Sequence, residues 1–469
     1  MSNNQAIFLQ GGLMRHITIM SASASIGLVS MFLVDFVDLL FISMLGEQEL
    51  AAAVGFAGTL LFLTFSISIG MTIATSALVA QRLGQNAPDE ARKIASSVII
   101  FGLVITSILA ALCWIFAPTL LQIIGAEGRT AELGARYFRI VVAAMPIGAA
   151  GMMATGLLRA HGDARRAMIV TLTAGAVNAI LDPILIFGFG LGLDGAAYAS
   201  VAARVATMGT ALYPIFKHYG GFARIGLDRF RSDLAPIIGI AAPAMLTNVA
   251  TPIGNGVVTR AVSQFGDSAV AAMAVSGRLT PLAFCVVFAL SGAVGPIIGQ
   301  NFGAKQFARV RETLTKSAQF TAVYVLVIWL VLLAGHGLIS ASFNLSEEGA
   351  RIIFWFALVV APLFVFNGML FVSNAAFNNL RRPLFSTALN WGKNTIGVVP
   401  FVLVGGAMGG ASGVLIGQAV GGVVFGVAGY WLAQNLVTRY ETGRSDPDKG
   451  LRFPLLRRHA ETPFNSPRS

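Results

Sequence analysis

Leu45-Gly46-Glu47-Gln48-Glu49-Leu50-Ala51-Ala52 returns as Phe265-Gly266-Asp267-Ser268-Ala269-Val270-Ala271-Ala272, with Gly46 answered by Gly266. Further along, Gln81-Arg82-Leu83-Gly84 resembles Gln300-Asn301-Phe302-Gly303, and Ala91-Arg92 matches Ala308-Arg309. Arg165-Arg166 then matches Arg381-Arg382, and Asn178 matches Asn394 at the same spacing. The landmarks keep one order while the offset drifts slowly, which chance matching of apolar sequence rarely does. The chain reads as a duplication.

What is duplicated follows from composition. The 469 residues are 56% hydrophobic and 11% charged, with a mean hydropathy of +0.76. Soluble domains carry roughly 25% charged residues, so a soluble globule, a disordered chain and a coiled coil are excluded. The glycines follow no Gly-X-Y period, which excludes collagen. A polytopic membrane protein remains. At about 20 apolar residues per crossing, spans are read at 16–44, 51–80, 94–117, 134–158, 167–189, 195–216, 234–263, 269–299, 313–341, 351–377, 384–406 and 411–437. The first run is too long for the apolar core of a signal peptide. Six spans per half is an even number, so both halves enter from the same side. The expected fold is all-α, with 12 transmembrane helices in two six-helix lobes related by a pseudo-two-fold axis along the membrane normal, around a central cavity. The N-lobe is 1–217, a hinge linker 218–233, the C-lobe 234–437 and a basic tail 438–469.

The net charge of +11 sits in particular places. Linkers after even-numbered spans are basic, for example Arg82, Arg92 and Lys93, or Arg159, Arg165 and Arg166. Those after odd-numbered spans are poor in Lys and Arg and carry Glu47, Glu49, Glu127, Asp194, Asp267, Glu347 and Glu348. The positive-inside rule then puts both termini in the cytoplasm of a bacterial-type inner membrane. The surplus reflects topology, so no nucleic-acid partner is implied. Cys113 and Cys285 imply no disulfide framework.

A charge at the bilayer centre costs roughly 2.5–3.5 kcal/mol on insertion scales, so each one kept there is a functional candidate. Three acids lie well inside spans: Asp35, Asp38 and Asp182. Basic candidates are Arg204, Arg260, Arg278 and Lys393. All three aspartates fall in the first half. The repeat places Asn255, Val258 and Val398 at the matching positions, so the asymmetry favours a chemical role in one lobe. Asp35 and Asp38 share one helix face, as do Asn178 and Asp182. Pro183 withholds an N–H from the carbonyl of Ala179 and disfavours helix at Asp182, so a local break is expected there. Carboxylate, amide and freed carbonyl together suit a proton network or a hard cation such as Na⁺. Aspartates crowded in a low-dielectric lobe cannot all ionise cheaply, so one is a candidate to hold a proton.

These landmarks resemble the multidrug and toxic compound extrusion (MATE) family, in particular its DinF-like branch. The likeness runs over roughly residues 12–437 and rests on Phe36-Val37-Asp38-Leu39-Leu40-Phe41, Leu158-Arg159-Ala160-His161-Gly162-Asp163-Ala164-Arg165, Asn178 to Pro183, and Gly195-Ala196-Ala197. The resemblance implies twelve spans in two lobes, with an N-lobe cation site on Asp38, Asn178, Asp182 and Ser200. Sodium, where it is the ion, falls on Asp38, Asn178 and Asp182. Ser23 stands where DinF-like proteins usually have a proline that bends the first span, and its repeat mate is Pro243. Asp35 stands where relatives usually carry Asn. Acidic residues of the NorM-like branch are not evident in spans seven, eight or ten.

The expected function is secondary active efflux: a monomer among membrane lipids exports amphiphilic or cationic organic compounds in exchange for H⁺ or Na⁺, with no cofactor. Lys393, Asn394, Arg278, Met31, Met153 and Phe284 are candidates for the cavity that holds the substrate. Lys393 and Arg278 keep a lipid-linked oligosaccharide flippase open as an alternative. A channel fits the two-lobe plan less well than alternating access does. No Ser-His constellation or paired metal-ligand spacing supports an intramembrane enzyme. The turn from Arg159 to Arg166 lacks a phosphate-loop pattern. Asp163 in it is expected to pair with an arginine or cap the next helix, and His161 to be exposed.

Overall fold

A computed structural model describes residues 6–45 and 48–444, apart from the side chains of Asp35, Leu39, Ser43 and Gln48. Glu47, the Asp35 side chain and the tail beyond Arg444 therefore lie outside the description. After a 3₁₀ turn at Ile7–Leu9 the first half comprises α1 (Leu13–Ser43), α2 (Gln48–Gly84), α3 (Pro88–Ile115), α4 (Ala117–Ile123), α5 (Gly128–Ala143), α6 (Met145–Ala160), α7 (Ala164–Pro183) and α8 (Leu193–His218). The second comprises α9 (Leu227–Ser263), α10 (Asp267–Ala283), α11 (Cys285–Gly303), α12 (Phe307–Ser342), α13 (Glu347–Trp355), α14 (Ala361–Asn379), α15 (Leu384–Gly392) and α16 (Val399–Glu441). Three π-turns, Ile184–Gly188, Phe356–Val360 and Lys393–Gly397, follow α7, α13 and α15.

Nine described segments are each long and apolar enough to cross a membrane, and α5 with α6 makes a tenth, bent by 47°. The last of the nine, Leu384–Glu441, is two crossings, because the backbone leaves the helix at Gly409 (φ −134°) and Gly410 (φ 58°). The returning arm packs backbone to backbone on the outgoing one. A Cβ at Gly421 would stand 1.5 Å from the Gly397 carbonyl, and one at Gly413 would stand 1.9 Å from that of Gly405. Small residues permit such approach between helices in lipid. The twelfth crossing is α8, against α5, α6 and α7. The twelve match the spans read from hydropathy. Helix α1 has no proline and runs unbroken over 31 residues through Ser23, whereas α9 contains Pro236, Pro243 and Pro252.

The lobes meet mainly where α1 and α2 cross α9 and α11. The hydrophobic clusters show where along the membrane depth they meet. At the end bearing the basic linkers, one cluster joins Met71, Leu78 and Leu158 to Ile237 and Ile240 of α9, and another joins Phe8, Leu13 and Ile17 to Ile297, Ile298 and Phe377. At the opposite end each lobe keeps its own core, around Phe138 and Leu121 in the first and around Val258 and Val402 in the second. The apolar contacts that seal the lobes together therefore gather at the basic end.

The seal obeys the repeat. Gln81 Nε2 donates to the Asn379 carbonyl at 2.9 Å, and Gln300 Nε2 donates to the Ala160 carbonyl at 2.8 Å. Gln81 and Gln300 are repeat mates, and Ala160 and Asn379 are the last residues of α6 and α14, so each lobe reaches across with the same side chain to the same kind of helix end. Beside them, a Cβ on Gly84 would meet the Gln300 carbonyl oxygen at 2.0 Å, and one on Gly303 would meet that of Gln81 at 2.1 Å. The Phe8 N–H donates to Gln300 Oε1 at 2.9 Å, and Arg309 Nη2 and Asn301 Nδ2 hold the Phe8 carbonyl at 3.0 and 3.2 Å.

Helix α9 starts at Leu227, inside the stretch read as a hinge. The segment before it is pinned to α3: Arg92 donates to the carbonyls of Gly220 and Gly221, and Ser96 exchanges hydrogen bonds with Ala223. Asp233, buried, accepts from Ser97 Oγ at 2.6 Å and from Arg229 at 3.0 Å.

Candidate functional site

Helix α7 packs between α1 and α8. Gly175 allows the first contact, since a Cβ there would stand 2.8 Å from Ser30 Oγ. One turn beyond Gly175, Asn178 and Asp182 lie on one face of α7, both buried, with Asp182 at 0% exposure. Asp38 on α1 is half-buried. A carboxylate only accepts, so the Asn178 amide presents its nitrogen and donates to the two Asp38 oxygens at 3.1 and 3.0 Å. The two Asp182 oxygens find no donor among the described residues, and the Asp38 carboxylate is their neighbour. Two neighbouring carboxyls, one of them fully buried, are satisfied together by a shared proton or a cation.

Tyr137 on α5 completes the cluster. Its hydroxyl lies near Ser200 on α8, within electrostatic reach of Asp38, Asp182 and Arg204. Arg204, one turn beyond Ser200, donates to the Val141 carbonyl at 2.7 Å, beside the bend between α5 and α6. Sequence reasoning misses Tyr137. The available signal is a lone phenol between Arg136 and Arg139 in span four.

Thus Asp38, Asn178 and Asp182 come together, with Tyr137 and Ser200 beside them. Asp35 lies on the same helix as Asp38, three residues earlier. The expected break at Asp182 is displaced: Pro183 keeps helical geometry (φ −63°, ψ −32°) and the irregularity is the π-turn that starts at Ile184. The ring's missing N–H is absorbed by widening the next turn.

Val258 and Val398, the mates of Asp38 and Asp182, pack together in one hydrophobic cluster. The place that holds two acids in one lobe holds aliphatic side chains in the other. Met153 and Phe284 do not line a cavity. Met153 is fully buried beside Gly102 and Met71, and Phe284 stacks on Phe364 with ring centroids 4.1 Å apart. Met31 is half-buried on α1. Arg278 and Arg260 are exposed on α10 and α9 rather than buried. Lys393 donates to Asn367 Oδ1, and Asn394, buried, donates to the Asn390 carbonyl at 2.9 Å and fills the space above Gly254.

The basic turn behaves as a structural cap. Asp163 accepts from the Arg166 N–H at 3.2 Å, from Arg166 Nη1 at 2.6 Å and from the Tyr219 hydroxyl at 2.7 Å. His161, expected to be exposed, is instead buried with its ring 4.2 Å from that of Tyr219 and Nδ1 2.9 Å from the Leu157 carbonyl. No group of three or more His, Cys, Asp or Glu side chains able to hold a metal occurs among the described residues.

Against known proteins, the family model described as MatE matches residues 24–184 and 243–403, two stretches of equal length set in the register of the repeat. A curated relative named FAD transporter, from Shewanella oneidensis, is 28% identical, over 89% of this chain and 93% of that protein. The multidrug export protein MepA of Staphylococcus aureus is 22% identical, over 83% and 86% of the two chains. The crystal structure of the Vibrio cholerae MATE transporter VcmN in the bent form superposes with a TM-score of 0.86 at 24% identity, over 92% of this chain and 98% of that one. The family model spans well over half of the chain, and the structural likeness bears out the two-lobe, twelve-helix fold. The chain belongs to the MatE family of multi-pass membrane transporters.

Proposed function

We propose that the protein is a secondary antiporter that exports amphiphilic organic compounds and couples through Asp38, Asn178, Asp182, Tyr137 and Ser200. One observation carries this: a fully buried carboxylate, Asp182, faces a second acid without a donor of its own. That arrangement is stable when an ion sits there and repulsive when it leaves, which is what a coupling site requires. The sealed end carries the basic linkers, so by the positive-inside rule this conformation faces outward. In the cycle, H⁺ or Na⁺ enters the N-lobe from outside and relieves the repulsion. Helices α1 and α7 repack, the substrate is expelled, and the emptied cavity opens inward to release the ion. A potential of 100 mV is worth about 2.3 kcal/mol per charge moved, so one ion drives modest accumulation. The N-lobe (1–217) supplies the chemistry and the C-lobe (234–437) the opposing wall.

The amide of Asn178 bears on the choice of ion. With its nitrogen toward Asp38 it supports an ionised carboxylate, and with its oxygen inward it suits a protonated Asp38 or a sodium ion, so the driving gradient decides the ion. The test is efflux of a cationic dye from proteoliposomes driven by a pH gradient alone, then by a sodium gradient alone. Asp38→Asn and Asp182→Asn should each lower pH-driven exchange at least tenfold. Undiminished exchange in either variant overturns the assignment.

A second reading concerns the sign of the substrate. Arg260 and Arg278 are exposed on α9 and α10, and one relative is named FAD transporter. Both favour a substrate carrying phosphate or carboxylate. Competition between the cationic dye and a flavin nucleotide in the same vesicles separates the two.

A further inference from the structure

On the outer flank of the first lobe, away from the paired carboxylates, α3, α4, α5 and α8 leave a groove of about 1110 Å³. It follows α5 and the start of α6 from Gly128 to Ile147, round the 47° bend between them. Its two ends differ. Near the start of α5 it is lined by Glu132, Arg136 and Asp194; toward the bend after α5 it is lined by Ile140, Ala143 and Ile147.

The charges at the wet end have a definite arrangement. Arg136 pairs with Asp194. Arg139 lies over the Trp114 ring, 5.1 Å from its centroid, and its Nε donates to the Trp114 carbonyl at 3.0 Å, which leaves its two terminal nitrogens for an anion. Glu132 has no ion pair among the described residues, and it lies one turn before Arg136. Two arginines against two acids give a formally neutral site in which one cation and one anion remain open. Trp114 and Tyr198 on the rim are both about half exposed, as aromatic side chains at a membrane interface are.

We propose that this groove binds a zwitterionic phospholipid with a phosphoethanolamine headgroup. The phosphate lies on Arg139, a charge-assisted contact; the ammonium lies on Glu132; an acyl chain runs down Ile140, Ala143 and Ile147. The reverse faces of α5 and α8 carry Tyr137, Ser200 and Arg204, so the bound lipid braces the wall behind the carboxylates. An anionic lipid fits less well, because Glu132 and Asp194 oppose its net charge.

The test is native mass spectrometry of the full-length protein in detergent, titrated with phosphatidylethanolamine or with phosphatidylglycerol of the same acyl chains. One phosphatidylethanolamine should be retained per chain, at least fivefold more tightly than phosphatidylglycerol. Arg139→Gln with Glu132→Gln should lower that retention at least tenfold. Ala143→Trp, which fills the apolar floor and leaves every charge in place, should lower it similarly even if the double variant folds poorly. Equal retention of the two lipids, preference for phosphatidylglycerol, or retention unaffected by Ala143→Trp overturns the proposal. These readouts need no transport, so they stand apart from the coupling mechanism.

Discussion

Separating the lobes at the basic end must break the two reciprocal glutamine contacts, so their removal should shift the balance between closed and open. Gln81 and Gln300 are 2% and 0% exposed, and each makes two bonds at the seal. Gln81 donates to Asn379 and accepts from Arg381 Nε at 3.1 Å; Gln300 donates to Ala160 and accepts from the Phe8 N–H. A net worth of about 1 kcal/mol per hydrogen bond gives roughly 2 kcal/mol per side chain, about a 30-fold change in the equilibrium. The two glutamines share no partner, so their effects should add to about 4 kcal/mol in the double alanine variant. The reporter is Ala80→Cys, since Ala80 is fully buried against Gly299 of the other lobe, in a chain with Cys113 and Cys285 replaced by serine. Labelling by a membrane-impermeant maleimide at the basic face should accelerate about 30-fold in either single variant and further in the double, until the open form dominates. Gly84→Ala and Gly303→Ala attack the same seal sterically, because the added methyl would lie 2.0 or 2.1 Å from the facing backbone oxygen. Gly55→Ala, with nothing within 4 Å, is the control. Unchanged labelling in the double glutamine variant refutes the reasoning, and so does a strong effect at one member of a repeat pair with none at the other.

Further outcomes follow from the asymmetry of the lobes and from the basic turn. Val398→Asp would place an acid where Asp182 has its repeat mate, but among Val258, Val402 and Val414; it should cost on the order of 3 kcal/mol, read as a lower thermal midpoint in detergent, and give no second coupling site. A midpoint within 1 °C of the parent, about what a negligible free-energy change allows, would contradict the burial. Burial holds the His161 ring below the usual imidazole range, with Tyr219 and Asp163 facing it, while burial followed by the hydrogen bond to Asp163 holds the Tyr219 phenol up and neutral. The unfolded chain then binds a proton that the folded ring refuses, so stability is greatest above pH ~6.5 and is lost as pH falls through that value. His161→Phe should flatten the slope of the midpoint between pH 7.5 and 5; equal slopes would discard the histidine as the cause.

Much of the architecture was legible because hydropathy and repetition are one-dimensional signals. Twelve apolar runs and a drifting offset need no tertiary information, and the same offset located Val258 and Val398 before any contact was known. The acids were legible for a related reason: carboxylates in a chain with 11% charged residues stand out, and the ones inside spans are costly enough to require a use. The misplaced residues share a different character. Met153 and Phe284 are apolar side chains in an apolar chain, and nothing local tells a lobe core from a cavity wall. His161 is polar, yet its burial depends on Tyr219, which lies beyond α7 and α8 in the chain and folds back across the turn.

The glutamines mark the limit more sharply. Gln81 and Gln300 were visible as repeat landmarks, but the groups they donate to are backbone carbonyls, which carry no sequence signature, and those carbonyls belong to the opposite lobe. A contact between a residue and its counterpart's surroundings is invisible to a repeat comparison, because the repeat aligns each lobe with the other and says nothing of how they face. The same symmetry explains why the seal survives while the acids do not recur. A two-fold axis at the interface makes one solution serve twice, so Gln81, Gly84 and their mates stay matched. The carboxylate pair lies inside one lobe, away from the axis, where its repeat mate is free to become a cluster of valines. Helix α1 spans both regions, from Leu13 and Ile17 in the inter-lobe core at the sealed end to Asp38 at the acids. Movement of α1 at Asp38 therefore acts on a seal that only its own lobe's chemistry can address.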